Sequence, residues 1–171
     1  MQRLDVASGV SDLDIQGILE ALVRDGVEFL VIGGVAVGFH GFVRGTKDVD
    51  IVPSPEPDNL ARLADVLVAL DAQVDGAKEF EDEELPDPLD PDALALGGNW
   101  VLNTRLGRFD IMQWIGADPL WEKLSPTAIE AEIGGLPVKF ASYENLVALK
   151  EQAGRPQDLI DLARLREARG D

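Results

Sequence analysis

Cysteine is absent from the 171-residue sequence, and histidine occurs once, as His40. Without cysteine the chain has no disulfide, no thiolate zinc site and no cysteine nucleophile. A single histidine excludes a metal site built from several histidines and disfavours a Ser-His-Asp triad. We interpret His40, which lies between Phe39 and Gly41, as a packed or partly exposed side chain rather than a catalytic base.

Basic residues are also scarce: 15 Lys and Arg stand against 32 Asp and Glu, giving a net charge of −17. Proteins bind nucleic-acid phosphates largely through Lys and Arg, so this balance argues against a nucleic-acid partner. Much of the acidic excess lies in residues 71–98. Prolines such as Pro86 and Pro88, together with mutually repelling charges, predict an acidic loop there. A docking surface for a basic partner is the alternative interpretation.

The sequence has no long apolar run, and its first residues lack the basic and apolar pattern of a secretory signal. We therefore expect no membrane-spanning segment and a cytoplasmic location. Apolar residues make up 46% of the chain, which is ordinary for a globular protein. Length and composition together predict a single domain over residues 1–171.

Apolar periodicity predicts helices and strands in alternation. The first predicted helix follows an N-cap at Ser11 and ends at Gly26. The other predicted helices cover residues 35–41, 58–70, 143–153 and 157–169. The predicted strands cover residues 27–32, 48–52, 99–105, 108–115, 129–133 and 136–141, the last four forming two hairpins, and 118–123 forms a helical turn. This order predicts an α/β (α+β) fold, with a mixed sheet flanked by helices and a C-terminal helical segment over residues 142–169.

Asp48 and Asp50 lie two residues apart in a predicted strand, so their carboxylates point to the same side. Adjacent carboxylates repel unless a cation or a proton lies between them, and Mg²⁺ prefers such oxygens. Asp110, in a later predicted strand, offers a third carboxylate. A solvent-facing strand edge remains the alternative for the pair, and an outward acid paired with Arg105 or Arg108 remains the alternative for Asp110.

Gly33 and Gly34 follow the first predicted strand directly. Glycines allow backbone N–H groups to approach a phosphate closely, and the start of a following helix adds partial positive charge. A tight strand-to-helix turn with no ligand is the alternative interpretation.

The order of these motifs resembles the nucleotidyltransferase superfamily with the polymerase-beta-type fold. The resemblance is carried by Gly33-Gly34, by the Arg-x-Thr-x-Asp-x-Asp segment over residues 44–50 and by the later strand acid Asp110. Within the superfamily, the Gly-Gly form and residues 143–150 and 155–162 are similar to the AbiEii/MenT-like toxin branch. Many other members have Gly-Ser at the glycine pair.

The resemblance implies roles for nine residues. Asp48, Asp50 and Asp110 would be catalytic and would bind Mg²⁺ or Mn²⁺. The residues implied in binding the nucleotide are Gly33, Gly34, Arg44, Thr46, Lys150 and Asp158.

Several of these side chains keep an alternative interpretation. Arg44 and Lys150 fit solvent-exposed charges, and Thr46 fits an ordinary strand-forming residue. Asp158 and Asp161 lie three residues apart on one helix face, where either acid could position Lys150 or Arg155. For Asp161 we expect instead an acid stabilised by the helix dipole.

The activity implied by the resemblance is transfer of a nucleoside monophosphate from an NTP to an acceptor hydroxyl. The protein would be the toxin of a toxin–antitoxin pair, with a cognate antitoxin as partner and a tRNA, a protein or a small molecule as acceptor. The alternative is a non-catalytic nucleotide-binding or antitoxin-like module on the same fold.

Overall fold

Short runs of β-branched and aromatic residues form the strands of the protein. The computed structural model describes residues 12–75 and 87–170. The strands are β1 (Phe29–Ile32), β2 (Asp48–Pro53), β3 (Gln73–Val74), β4 (Asn99–Thr104), β5 (Gly107–Met112), β6 (Trp114–Ile115), β7 (Asp118–Pro119), β8 (Ile129–Ile133) and β9 (Leu136–Phe140).

The helices follow the predicted apolar spacing and begin at recognisable caps. Asp14 caps the first helix through the N–H of Gly17, and Ser142 caps the sixth through the N–H of Asn145. Ser11, predicted as the first cap, lies outside the described residues. The helices are α1 (Ile15–Arg24), α2 (Gly33–Phe39), α3 (Pro57–Ala69), α4 (Pro91–Ala95), α5 (Leu120–Leu124), α6 (Tyr143–Ala153) and α7 (Pro156–Arg169), with a 3-10 turn over Ser125–Thr127. None of the helices in the described ranges combines the length and apolar character needed to cross a membrane.

Seven strands form one sheet in the order β3-β4-β5-β2-β1-β9-β8, and β6 pairs separately with β7. The β2–β5 and β1–β9 pairs are parallel, whereas the remaining pairs are antiparallel. The mixed sheet flanked by helices confirms the predicted fold class. Strands β2 and β5 lie at the centre of the sheet, where neither is an edge strand.

The two faces of the sheet pack against different helices because side chains alternate along each strand. On one face, residues such as Val49, Ile51 and Phe109 join the larger apolar core with α1 and α3. On the other face, Leu30 and Val52 belong to a smaller apolar cluster that includes α5. Asp48, Asp50 and Asp110 alternate with the larger core, so they project from the face that carries the smaller cluster.

The segment predicted as an acidic loop, residues 71–98, contains regular structure at both of its ends. Strand β3 pairs with β4, and α4 begins at Pro91 after Asp90 caps it through the N–H of Asp92. Proline suits the first turn of a helix, so Pro91 starts a helix here instead of preventing one. Residues 76–86, which hold much of the predicted acidic loop, lie outside the described residues.

Candidate active site

The central strands bring three carboxylates together. Asp48 and Asp50 lie on β2, and the parallel register places Asp50 directly opposite Asp110 on β5. Oxygen atoms of the three side chains all lie within 4.8 Å of one another. We call Asp48, Asp50 and Asp110 the acid cluster.

Burial and mutual repulsion disfavour the state in which all three carboxylates of the acid cluster are charged. Burial, followed by the charges of Asp48 and Asp110, raises the pKa of Asp50 from 3.8 to about 8. Burial and the charge of Asp48 also raise the pKa of Asp110, against the opposing effect of Arg108. The acid cluster therefore holds more negative charge than its surroundings neutralise.

Arg108 neutralises part of the negative charge of the acid cluster. Its Nε lies 3.3 Å from Asp110 Oδ1 and 3.8 Å from Asp48 Oδ2. The side chain of Arg108 is 39% exposed, so water weakens both ion pairs. The predicted alternative of an Asp110–Arg108 pair is thus present together with the acid cluster and does not replace it.

The acid cluster fits a divalent cation. Three carboxylates at this spacing are hard oxygen ligands of the kind that Mg²⁺ and Mn²⁺ prefer. A bound cation would also remove the repulsion that raises the pKa of Asp50. On these grounds Asp48, Asp50 and Asp110 are the residues that would hold the metal.

Residues 33 and 34 are glycines at positions where neighbouring side chains leave no room for a Cβ. Gly33 has a φ of +69°, and a Cβ added there would lie 2.1 Å from Asp50 Oδ2. A Cβ added at Gly34 would lie 2.7 Å from Thr46 Oγ1 and 3.2 Å from an Arg44 nitrogen. Any side chain at either position would displace these groups, so glycine lets the α2 backbone come close to the acid cluster.

Thr46 and Arg44 belong to the segment that leads into β2. The Thr46 hydroxyl donates to the carbonyl of Asp48 at 3.1 Å. Arg44 donates two hydrogen bonds to Asp161, at 2.8 Å and 2.9 Å. Arg44 is therefore not the solvent-exposed charge of its alternative interpretation, and Thr46 lies before β2 rather than within a strand.

Helices α6 and α7 supply a second charged group of residues. Lys150 Nζ lies 3.2 Å from Asp158 Oδ1 and 2.9 Å from Asp161 Oδ2, and Arg155 Nε lies 2.8 Å from Asp158 Oδ2. We call Arg44, Lys150, Arg155, Asp158 and Asp161 the ion-pair network. The side chains of Lys150, Asp158 and Asp161 are only 7%, 2% and 0% exposed.

Hydrogen bonds keep both aspartates of the ion-pair network ionised. Burial opposes the charge of Asp158, but hydrogen bonds from Arg155 and Lys150 outweigh it and lower the pKa. Burial likewise opposes the charge of Asp161, and hydrogen bonds from Arg44, Lys150 and Gln157 lower its pKa. The network is therefore paired in its charged form.

A cleft of about 680 Å³ connects the acid cluster with the ion-pair network. Met112, Ile115, Leu120 and Leu149 form an apolar part of its wall. The charged lining residues are Arg44, Lys47, Asp48, Asp50, Arg108, Asp110, Lys150, Arg155 and Asp158. Five of these are basic and four acidic, so the cleft is locally richer in positive charge than a chain of net charge −17.

All nine residues selected from the sequence line this one cleft. They are Gly33, Gly34, Arg44, Thr46, Asp48, Asp50, Asp110, Lys150 and Asp158. Their roles remain predictions. His40, by contrast, is not among the lining residues and has Nε2 2.8 Å from the Ala141 carbonyl oxygen.

The expectation for Asp161 was wrong. Its side chain is fully buried and is held by Arg44, Lys150 and Gln157, and it lies beyond the first turn of α7, where the helix dipole acts most strongly. The three-residue spacing from Asp158 was the available signal, because it places both acids on the same helix face.

Solved structures share this architecture. A crystal structure of ANT(2'')-Ia in complex with adenylyl-2''-tobramycin aligns with a TM-score of 0.56 at 19% identity, covering 88% of this chain and 84% of that one. A Thermotoga maritima protein assigned as a nucleotidyltransferase aligns with a TM-score of 0.53 at 14% identity, covering 88% of both chains.

The chain has the nucleotidyltransferase fold. A solution structure of the antibiotic-resistance factor ANT(2'')-Ia agrees, with a TM-score of 0.55 at 22% identity over 88% of this chain and 79% of that one. Compared with protein-family models and with curated protein sequences, the chain shows no match. At these identities the likeness establishes the nucleotidyltransferase fold alone.

Proposed function

We propose that the protein is a metal-dependent nucleotidyltransferase, which transfers a nucleoside monophosphate from an NTP to an acceptor hydroxyl and releases pyrophosphate. The observation that carries this proposal is the convergence of Asp48, Asp50 and Asp110 within 4.8 Å on adjacent parallel strands. The nucleotidyltransferase fold gives these acids a context in which such chemistry is known.

The reaction forms a bond from the acceptor oxygen to the α-phosphorus and breaks the bond from that phosphorus to the bridging oxygen of pyrophosphate. Metal ions held by the acid cluster would neutralise charge on the triphosphate and on the attacking and leaving oxygens. Asp110 would help to take up the hydroxyl proton.

The nucleotide is held by groups on both sides of the acid cluster. Gly33 and Gly34 present the first N–H groups of α2, which have no partner within a helix. Arg44 and Lys150 provide positive charge for the phosphates, and Asp158 orients Lys150. Further basic side chains of the same cleft are Lys47, Arg108 and Arg155.

The acceptor is the less constrained part of the proposal. The ANT(2'')-Ia complex contains a small molecule that carries an adenylyl group, and a net charge of −17 opposes an extended RNA. Both points favour a small molecule or a protein side chain over tRNA. The toxin role and the cognate antitoxin come from the sequence resemblance to the AbiEii/MenT-like branch.

The decisive experiment measures transfer directly. Each α-labelled NTP is incubated with Mg²⁺ or Mn²⁺ and with tRNA, a protein mixture or aminoglycosides, and both label transfer and pyrophosphate release are followed. We expect Asp50→Asn to lower the rate at least about a thousandfold. Asp65→Asn, an exposed acid of α3 outside the cleft lining, is the matched control and retains full activity.

The alternative of a non-catalytic nucleotide-binding module predicts a different result. Mg-NTP would then bind, with no pyrophosphate released in the presence of any acceptor class. Equal turnover by wild type and Asp50→Asn would also contradict the proposal. For the toxin role, we expect expression to arrest growth and Asp48→Ala to relieve the arrest.

A further inference from the structure

Asp161 stands at the centre of the ion-pair network although it does not line the cleft. Its Oδ1 accepts from Arg44 Nε at 2.8 Å and from Gln157 Nε2 at 2.9 Å. Its Oδ2 accepts from Arg44 Nη2 at 2.9 Å and lies 2.9 Å from Lys150 Nζ. Both carboxylate oxygens are therefore committed to partners, and the fully buried group has no oxygen to offer a ligand.

The two cations that Asp161 joins come from distant parts of the chain. Arg44 precedes β2, whereas Lys150 lies on α6. Two cations placed close together repel, and each long side chain loses rotamer freedom when it is fixed. A carboxylate that contacts both offsets the repulsion and holds each in one orientation.

The position given to Arg44 matters for the glycine pair. One of its nitrogens lies so near Gly34 that a Cβ there would be 3.2 Å from it. The guanidinium is thus held beside the first turn of α2. Lys150 lines the same cleft as the three carboxylates of the acid cluster.

We propose that Asp161 is a positioning residue that holds Arg44 and Lys150 in the orientation in which they contact the phosphates of the nucleotide. The inference deepens the proposed function and rests on it. Asp161 does not touch the nucleotide and acts through the two cations. Because the contact with Arg44 is bidentate, the orientation of the guanidinium plane is fixed as well as its place.

The test uses the full chain and a probe that does not require turnover. Binding of inorganic tripolyphosphate in the presence of Mg²⁺ is measured by calorimetry for wild type, Asp161→Asn and Asp158→Asn, at a temperature where circular dichroism shows each to be folded. Asp158→Asn is the matched control, because it also removes a partner of Lys150 but leaves Arg44 in place.

We expect Asp161→Asn to weaken tripolyphosphate binding about tenfold, and Asp158→Asn to weaken it about threefold or less. In turnover assays, Asp161→Asn raises KM for the NTP by a similar factor and changes kcat much less. A residue with a structural role alone would lower stability without this separation of KM from kcat.

A double-mutant cycle tests whether Asp161 acts through Arg44. Arg44→Gln weakens binding by itself, and in that background Asp161→Asn should cost no more than about threefold further. Full additivity of the two losses, or unchanged binding by a folded Asp161→Asn variant, overturns the inference. If Asp161→Asn does not fold, Arg44→Lys keeps the charge but loses the bidentate contact, and unchanged binding by that variant overturns it equally.

The outcomes also separate this inference from the proposed function. If the wild-type protein with Mg²⁺ fails to bind tripolyphosphate, the phosphate site itself is absent and the proposed function fails. If wild type binds and Asp161→Asn binds equally well, only the positioning role fails.

Discussion

In the acid cluster three carboxylates lie beside one partly exposed guanidinium, whereas in the ion-pair network two carboxylates contact three cations. The pKa of Asp50 is raised to about 8, while the pKa values of Asp158 and Asp161 are lowered. Five aspartates in one region thus have opposite electrostatic environments. The difference is one of charge balance: the acid cluster has an excess of negative charge, whereas the carboxylates of the network are paired with cations.

The largest effect on stability is expected from removing a carboxylate of the network. Asp158→Asn leaves Lys150 with one buried partner fewer, so the free energy of unfolding of the metal-free protein should fall by about 3 kcal/mol. Urea denaturation at pH 7 measures the change, with Asp65→Asn as the exposed control. A loss no larger than that of the control would show that the network does not stabilise the fold.

Removing a carboxylate from the acid cluster is expected to raise the free energy of unfolding rather than lower it. Asp50→Asn removes the repelling carboxylate and should raise the free energy of unfolding of the metal-free protein by about 2 kcal/mol. The same variant should lose most of the rise in Tm that Mg²⁺ gives to the wild type. Thermal denaturation with EDTA and with Mg²⁺ checks both effects, and destabilisation by Asp50→Asn without metal would contradict the assignment.

The effect that is smallest within any one pH unit is a dependence of stability on pH. Because the pKa of Asp50 is higher in the folded state than its ordinary 3.8, the folded metal-free protein loses stability as pH rises from about 4 towards 8, by about 1 kcal/mol per unit at most. The lowered pKa values of Asp158 and Asp161 act in the other direction. Their stabilisation is present above about pH 4 and is lost at lower pH.

Denaturation curves between pH 5 and 8 measure the effect of Asp50. The difference between wild type and Asp50→Asn should grow with pH and should shrink when Mg²⁺ is added. A difference that stays constant across this range would mean that Asp50 ionises normally in the folded protein.

Local patterns in the sequence were sufficient for most of the fold. The predicted span of α6 agrees with Tyr143–Ala153, because Ser142 provides a cap and Gly154 a left-handed end. The short elements β3 and α4 were missed, since two to five residues carry too little periodicity.

The sequence predicted those parts of the candidate site whose residues lie close together along the chain, and not those formed by distant residues. The pairing of Asp48 with Asp50 follows from the strand repeat alone. Asp110 could be recognised only as a third carboxylate in a later predicted strand, because periodicity cannot give the register of two parallel strands. The contact between Arg44 and Asp161 spans 117 residues, and no local pattern contains such information.

The long separation of Arg44 from Asp161 along the chain has a consequence for the order of folding. Loop-closure entropy makes contacts between distant residues slow to form, so Arg44 and Asp161 should meet only after the central sheet has formed and α7 has docked. An intermediate with paired β2 and β5 would already hold the acid cluster, but would lack the orientation of Arg44. The chain should therefore gain metal affinity earlier in folding than phosphate affinity.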